Sequence, residues 1–165
     1  MSKRNFAFIA CAVAALALAA CDDAPESGRA IVSVSEINGG APVTASVAAA
    51  TDIAVPMEFR WRPYNDYVLS SEATPHGDII IESFTITWTG PDGSTAIPAR
   101  TEAIAVFVPV YDLVTSQIRI ATAAELGSVT GAPVLLTAHV DFKAREMGND
   151  HEIEFSTSFT ANFAN

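Results

Sequence analysis

Residues 133–143 read PVLLTAHVDFK and residues 152–161 read EIEFSTSFTA, and both stretches alternate apolar and polar residues. A period of two is typical of β-strands that bury one face. The residues predicted to face inward are Val134, Leu136, Ala138, Val140 and Phe142 on the first strand and Ile153, Phe155, Thr157, Phe159 and Ala161 on the second. The two stretches therefore predict a pair of half-buried strands.

A turn at Gly148-Asn149 joins these strands into a hairpin and fixes which residues face each other. The predicted cross-strand pairs are Phe142–Phe155, Lys143–Glu154, Ala144–Ile153 and Arg145–Glu152. A register shifted by two residues would place Asp141 opposite Glu154, and like charges directly opposite destabilise a sheet. Hydrophobicity and charge thus select the same register, and the paired charges are expected to be exposed and worth about 0–1 kcal/mol each.

Upstream, short runs rich in Val, Ile, Thr and Phe recur between Gly, Pro, Asn and Asp residues. The predicted strands are 30–37, 43–49, 53–61, 78–89, 101–108 and 117–122, with a short helical turn at 122–126. The alanines of 43–49 also allow a helix there, but we favour a strand. In the fourth run the residues predicted to share one apolar face are Ile80, Phe84, Ile86 and Trp88. We expect the second run to return beside the first after Asn38-Gly39-Gly40, and Pro56 to place part of the third run at an edge or a bulge.

Many short strands without a crossover helix predict an all-β fold, a single antiparallel β-sandwich of about 7–9 strands. The spacing of the strands fits an immunoglobulin-like sandwich, although the Cys…Trp…Cys core of antibody domains is missing. The length of 165 residues suits one domain, which we place at residues 30–165.

The N-terminal residues have the pattern of a secretory signal peptide. Ser-Lys-Arg-Asn at 2–5 is positive, residues 6–17 carry no charge, and Leu-Ala-Ala-Cys follows at 18–21. This ending resembles the lipobox of bacterial lipoproteins. The resemblance implies a signal peptide at 1–20, removed before Cys21, and lipid on the Cys21 sulfur and the new N-terminus. Residues 21–29 are then the lipidated cysteine and a solvated tether, and the protein is anchored in a membrane of the cell envelope, facing the periplasm or the cell surface.

Asp22 follows the anchor directly, and in enterobacterial lipoproteins an Asp at this place resembles a signal for retention in the inner membrane.

The chain from Cys21 onward has lost Lys3 and Arg4, so it carries seven basic and nineteen acidic residues, a formal charge of -12. Such a body repels anionic lipid and nucleic acid alike, so lipid must hold it at the membrane and no nucleic-acid partner is expected. With Cys11 removed, Cys21 is the sole cysteine of the predicted mature chain, which excludes an internal disulfide.

Two further segments carry a looser resemblance. Residues 78–88, DIIIESFTITW, followed by Asp92-Gly93, and the ending FSTSFTANFAN at 155–165 resemble strands of proteobacterial lipoproteins with immunoglobulin- or fibronectin-type sandwiches. The resemblance implies the same fold, and no catalytic residue carries over from it.

Signatures of enzymes and of metal sites are mostly missing from the sequence. The histidines are His76, His139 and His151, and the hairpin register places His139 on a polar face beside Asp141 and opposite Ser158. The oxygen ligands that calcium favours gather at the hairpin tip at Asn149, Asp150, Glu152 and Glu154, but the twelve-residue calcium loop is lacking and Lys143 and Arg145 face the carboxylates. We therefore predict no enzyme, no cofactor and no metal site.

Residues 59–67, FRWRPYNDY, are the segment best suited to bind a ligand. Trp61, Tyr64 and Tyr67 could stack on a sugar or anchor a partner protein. Alternatively, Phe59 and Trp61 fill the core of the sandwich while the tyrosines close its end. We favour this alternative because large aromatic residues are usually among the most buried of a sandwich.

The sequence predicts a non-catalytic interaction or scaffolding module, with a carbohydrate-binding module as the alternative and a hydrolase as a third reading. A long unpaired apolar edge strand would favour a protein partner, and exposed coplanar rings would favour a sugar. A cleft that gathers a histidine, a carboxylate and a serine would favour the hydrolase.

Overall fold

The computed structural model describes residues 30–49, 51–63, 77–129, 133–148 and 150–164. The described chain forms eight strands: β1 (Ala30–Ile37), β2 (Val43–Ser46), β3 (Ile53–Pro63), β4 (Ile79–Thr89), β5 (Thr95–Val108), β6 (Leu113–Ala121), β7 (Val134–Glu146) and β8 (Glu152–Ala164). A short helix α1 (Ala123–Leu126) follows β6, and 3₁₀ turns occupy Asn38–Gly40 and Val47–Ala49. The helical turn predicted at 122–126 is confirmed, since Thr122 and Glu125 cap each other's backbone N–H groups at its N-terminus.

The strands form two sheets that curl into a half-barrel. The first sheet has the order β1-β3-β6, and the second has the order β2-β8-β7-β4-β5. The prediction of a mostly-β fold with two sheets and about 7–9 strands is confirmed. The prediction of a wholly antiparallel arrangement is wrong, because β2 pairs with β8 in parallel.

The predicted hairpin is present as β7 and β8, in the predicted register. Phe142 lies opposite Phe155, and Lys143 lies opposite Glu154. The connection is longer than the two residues predicted, because β7 ends at Glu146 and β8 begins at Glu152. Within it, the positive φ of 103° at Gly148 turns the chain.

The charges on the hairpin are exposed, as predicted, but one pair differs. Lys143 Nζ lies 3.1 Å from Glu154 Oε1. Arg145, which lies opposite Glu152 in the register, instead forms ion pairs with Glu82 at 2.6 Å and Asp150 at 3.0 Å. Its hydrogen bond to the Glu82 carboxylate raises the pKa of Arg145 further above its usual value.

Charge reversal at the first pair is expected to have little effect. In the Glu154→Lys variant the pair with Lys143 is replaced by two like charges, both of which lie in water because each side chain is 71% exposed. We expect the free energy of unfolding to change by less than about 1 kcal/mol. Urea denaturation of both proteins measures this, and a loss of several kcal/mol would mean that this sheet face is not open to solvent.

The alternation in β4 is offset by one residue near its start. Ile80 was predicted to lie on the core face, but Ile79 and Ile81 are buried and Ile80 lies on the outer face. The reason is a bulge, because Ile81 and Ser83 face consecutive residues of β7 and Glu82 is the extra residue. From Phe84 onward the predicted face is correct.

The path of the chain after β1 also differs from the prediction. Residues 38–40 have positive φ angles of 53°, 59° and 73°, and β2 lies beside β8 in the second sheet rather than beside β1. Only Val43–Ser46 of the run predicted at 43–49 is a strand. Val43 and Ala45 are buried, so β2 covers the core beside the end of β8.

Pro56 lies just outside the ladder between β3 and β1, which ends at the pair Ile37–Met57. On that side β3 is locally an edge, as predicted. This position suits a residue that lacks a backbone N–H donor.

Aromatic side chains fill the space between the sheets. Phe142 of β7 stacks on Phe155 with ring centroids 4.9 Å apart and meets the edge of Phe59 from the first sheet at 5.3 Å. Trp88 lies between the rings of Phe159 and Phe163. The contact between Phe59 and Phe142 joins the two sheets, whereas the stacking on Phe155 and the contacts of Trp88 lie within the second sheet.

Candidate functional site

The candidate binding segment at residues 59–67 begins in the core of the domain. Phe59 and Trp61 are buried, Trp61 with 3% exposure. The Trp61 indole donates from Nε1 to the carbonyl of Gly77 at 3.3 Å, and its ring lies 4.5 Å from that of Tyr111. The core alternative therefore describes these two residues, and the described chain offers no open indole face at Trp61 for a sugar. Tyr64, Tyr67 and His76 lie outside the described residues.

A buried carboxylate fixes the start of β4 close to Trp61. Glu146, at the end of β7, is fully buried, and its Oε1 accepts a hydrogen bond of 2.7 Å from the backbone N–H of Gly77. The Met147 N–H donates to the Asp78 carbonyl at 2.7 Å in the next position of the ladder. Because a buried carboxylate is costly without partners, Glu146 acts as a structural anchor for this end of the sheet.

The outer face of the second sheet is polar and carries a contact of serine, histidine and aspartate side chains. His139 Nδ1 lies 2.8 Å from Ser158 Oγ on the neighbouring strand. Its other nitrogen, Nε2, lies 3.2 Å from Asp141 Oδ1, two residues along the same strand. The neighbours are those predicted for His139 from the hairpin register.

This row of side chains, formed by Ser158, His139 and Asp141, lies on an open surface. The His139 and Asp141 side chains are 52% and 55% exposed. A shallow depression of about 320 Å³ begins at Asp141 and continues over Thr85, Lys143, Glu154 and Ser156. Solvent therefore reaches all three groups, whereas an efficient hydrolytic triad works where water is excluded.

A network of ion pairs joins the two sheets at the corner where β5 faces β6. Arg100 and Glu102 of β5 are bonded to each other, and Arg119 of β6 reaches Glu102 at 2.8 Å and Asp52 at 3.0 Å. Arg100 also binds Glu125 of α1 at 3.0 Å and donates to the Arg119 carbonyl at 2.7 Å. The Glu102 carboxylate is the main reason that the pKa of Arg119 is raised.

Asp52 gives this corner a dependence on pH. The backbone N–H of Ala123, followed by the Arg119 guanidinium, holds the pKa of Asp52 below its ordinary value of 3.8. A carboxylate whose pKa is lower in the folded state stabilises the fold above its unfolded pKa, and this contribution is lost as the pH falls through the lowered value. We expect the melting temperature of the Asp52→Asn variant to fall less steeply than that of the wild type below about pH 4. Parallel slopes in thermal melts from pH 6 to pH 2 would contradict this.

The C-terminal half of β5 is an apolar edge. Among the described residues β5 is hydrogen-bonded along one side only, to β4. Residues 103–108 read AIAVFV, without a charge or a proline, and Phe107 is 47% exposed. Among the edge strands of the described chain, only β5 has six consecutive apolar residues. Exposed edges normally carry charges or prolines that prevent pairing, as the first half of β5 does at Pro98, Arg100 and Glu102.

Sequence reasoning predicted a strand at 101–108 but missed that it is an edge. Pro98 was the available signal, because proline within a strand is confined to edges and bulges. On the outer face Phe107 pairs with Ile80, which in turn pairs with Arg145. Phe107 and Ile80 thus form an apolar pair at the edge, and Arg145 follows them inward.

Within the described chain no three histidine, cysteine, aspartate or glutamate side chains are grouped so that they could hold a metal ion. Asp150 and Glu154, two of the oxygen donors at the hairpin tip, are bound to Arg145 and Lys143. The described residues contain no helix that is long and apolar enough to span a membrane.

Comparison with known proteins adds no family assignment. No protein-family model matches the chain. No curated protein matches it either.

Proposed function

We propose that this chain is a lipid-anchored protein of the bacterial cell envelope whose immunoglobulin-like sandwich binds a protein partner and performs no catalysis. The lipobox pattern around Cys21 supports the anchor, and the eight strands in two sheets support the sandwich. The body then lies beside the membrane, on the periplasmic side or on the cell surface. Asp22 favours the inner membrane.

The observation that carries the proposed binding is the edge of β5 at Ala103–Val108. An open strand edge offers a row of backbone donors and acceptors that an incoming strand can satisfy. The exposed Phe107 adds an apolar contact next to that edge. We refer to Ala103–Val108 as the β5 edge.

The anchor can be tested by metabolic labelling. Cells that express the wild type in the presence of a labelled fatty acid should incorporate label into the protein, and cells that express Cys21→Ser should not. Equal labelling of both proteins would contradict attachment at Cys21.

The binding surface can be tested by photo-crosslinking in cells. A photoreactive phenylalanine analogue at position 107 should give a discrete adduct on irradiation. The control is the same analogue at Thr115, which is exposed on β6, the edge strand of the other sheet. Equal adducts from both positions, or none from position 107, would contradict a binding role for the β5 edge.

A second candidate function, ester hydrolysis, is favoured by one observation, the contact of His139 with both Ser158 and Asp141. In this mechanism Ser158 Oγ attacks the ester carbonyl while His139 Nδ1 takes its proton and Asp141 holds the other side of the ring. The alcohol leaves with that proton, and water then releases the acid from Ser158. We rank ester hydrolysis second because this row of side chains is exposed to solvent.

Hydrolysis of a chromogenic ester such as p-nitrophenyl acetate tests whether the protein is an esterase. If the row is catalytic, Ser158→Ala should reduce hydrolysis at least about 100-fold, while Ser156→Ala, which changes the next outward-facing serine of β8, should leave it unchanged. Equal rates for the wild type and both variants would eliminate this candidate.

A further inference from the structure

The β5 edge is complementary to itself. When two copies of Ala103–Val108 run antiparallel about an axis at Ala105, Phe107 lies opposite Ala103 of the second copy and Ile104 lies opposite Val106. A large ring then covers a small side chain on the outer face. On the inner face, two branched apolar side chains face each other, which is a favourable cross-strand pair.

This register also avoids the features that prevent pairing. Pro98 falls outside the paired segment, which spans residues 102–108. Glu102 lies opposite Val108 of the second copy, and its carboxylate is already bound to Arg100 and Arg119. No two like charges are therefore opposed along the pairing.

We propose that the occupant of the β5 edge is a second copy of this chain, paired antiparallel through β5 so that two five-stranded sheets become one continuous sheet. The inference rests on the proposed binding role of this edge and names its partner. The two subunits are related by a two-fold axis, and the same surface is used on both.

The pairing is weak in dilute solution and strengthens with salt. Seven residues from each copy bury less surface than the roughly 1,200–2,000 Å² of stable complexes, and the bulge between Ala103 and Val106 reduces the regularity of the ladder. The chain carries a net negative charge of -10, so the two bodies repel each other at low ionic strength. Salt screens that repulsion and leaves the apolar contact intact.

A single introduced cysteine tests the register. Residues opposite each other on the two-fold axis have Cβ atoms about 4.5–5.5 Å apart, and such pairs can form a disulfide. The full chain with Ala105→Cys, in native membranes under mild oxidation, should form a covalent dimer at least tenfold faster than Thr115→Cys. The wild type, whose cysteines are Cys11 and Cys21, sets the background.

Equal crosslinking of Ala105→Cys and Thr115→Cys, or a background level from both, would overturn the proposal. The photo-crosslink at position 107 separates this outcome from failure of the proposed function. An adduct of twice the chain's mass supports both inferences. An adduct with a different protein keeps the binding role and removes the second copy, and the absence of any adduct removes both.

A second variant guards against misfolding caused by the introduced cysteine. Phe107→Lys places a charge opposite a small apolar residue across the axis and leaves the buried core unchanged. In sedimentation of the full chain in detergent, the wild type should shift towards the dimer as protein or salt concentration rises, and Phe107→Lys should remain monomeric. A wild type that is monomeric under all these conditions, or a dimer that Phe107→Lys leaves intact, would contradict pairing through β5.

Discussion

Phe142→Ala is expected to lower the free energy of unfolding by about 3–5 kcal/mol. The ring is buried at the centre of the aromatic cluster, where it stacks on Phe155 and contacts Phe59 and Phe84. Phe59 belongs to the first sheet, so the cavity left by the variant opens between the two sheets and removes contacts from both. Such a loss is a large part of the stability of a domain this size.

Leu135 provides the matched control, since it is a large apolar residue on the same strand but is 58% exposed. Leu135→Ala should change the stability by less than about 0.5 kcal/mol. Guanidinium denaturation followed by Trp fluorescence measures both variants. Similar losses from the two would mean that Phe142 is not a central core residue.

Gly77→Ala is expected to cost about 3 kcal/mol or more, because the added methyl group has no space. A Cβ at this position would lie well inside 3.0 Å of the Met147 carbonyl oxygen and at 3.0 Å from Glu146 Cγ. Backbone cannot yield as a flexible side chain does. The start of β4 must therefore move away from β7, which weakens the bond from Gly77 N–H to the buried Glu146 carboxylate.

Gly127→Ala is the control for this substitution. A Cβ at Gly127 meets its nearest neighbour, the Ala124 carbonyl oxygen, at an ordinary 3.4 Å, and its φ of -63° suits any residue. We expect this variant to be as stable as the wild type or up to about 1 kcal/mol more stable. Thermal melts of both variants give the comparison, and a neutral Gly77→Ala would show that the β4–β7 junction is looser than described.

The parts of the fold that the sequence predicts best are those in which several local signals agree. In the β7–β8 hairpin the apolar alternation and the charge pairs specify one register, and the structure has it. Burial of Trp61 also has a local signal, because Val55, Met57, Phe59 and Trp61 alternate along β3 and all are buried. This signal agrees with the expectation that large aromatic residues such as Phe59 and Trp61 lie in the core.

The errors come from features that have little or no local signature. The bulge at Glu82 offsets β4 by one residue, and nothing in the run IIIESF distinguishes it from a regular strand. The edge position of β5 has only the weak signal of Pro98, and the salt bridges between β5 and β6 depend on which strands become neighbours. Those neighbours are set by packing of the whole domain.

The parallel pairing of β2 with β8 has a consequence for biogenesis. Val43–Ser46 docks on Ala161–Ala164, so this ladder forms only after residues 43–164 have been synthesised. Contacts between such distant segments form slowly because the chain must first close a long loop. If the chain is exported, as we propose, it passes its translocase unfolded, and a sheet that stays incomplete until β8 has emerged helps to keep the polypeptide threadable during transit.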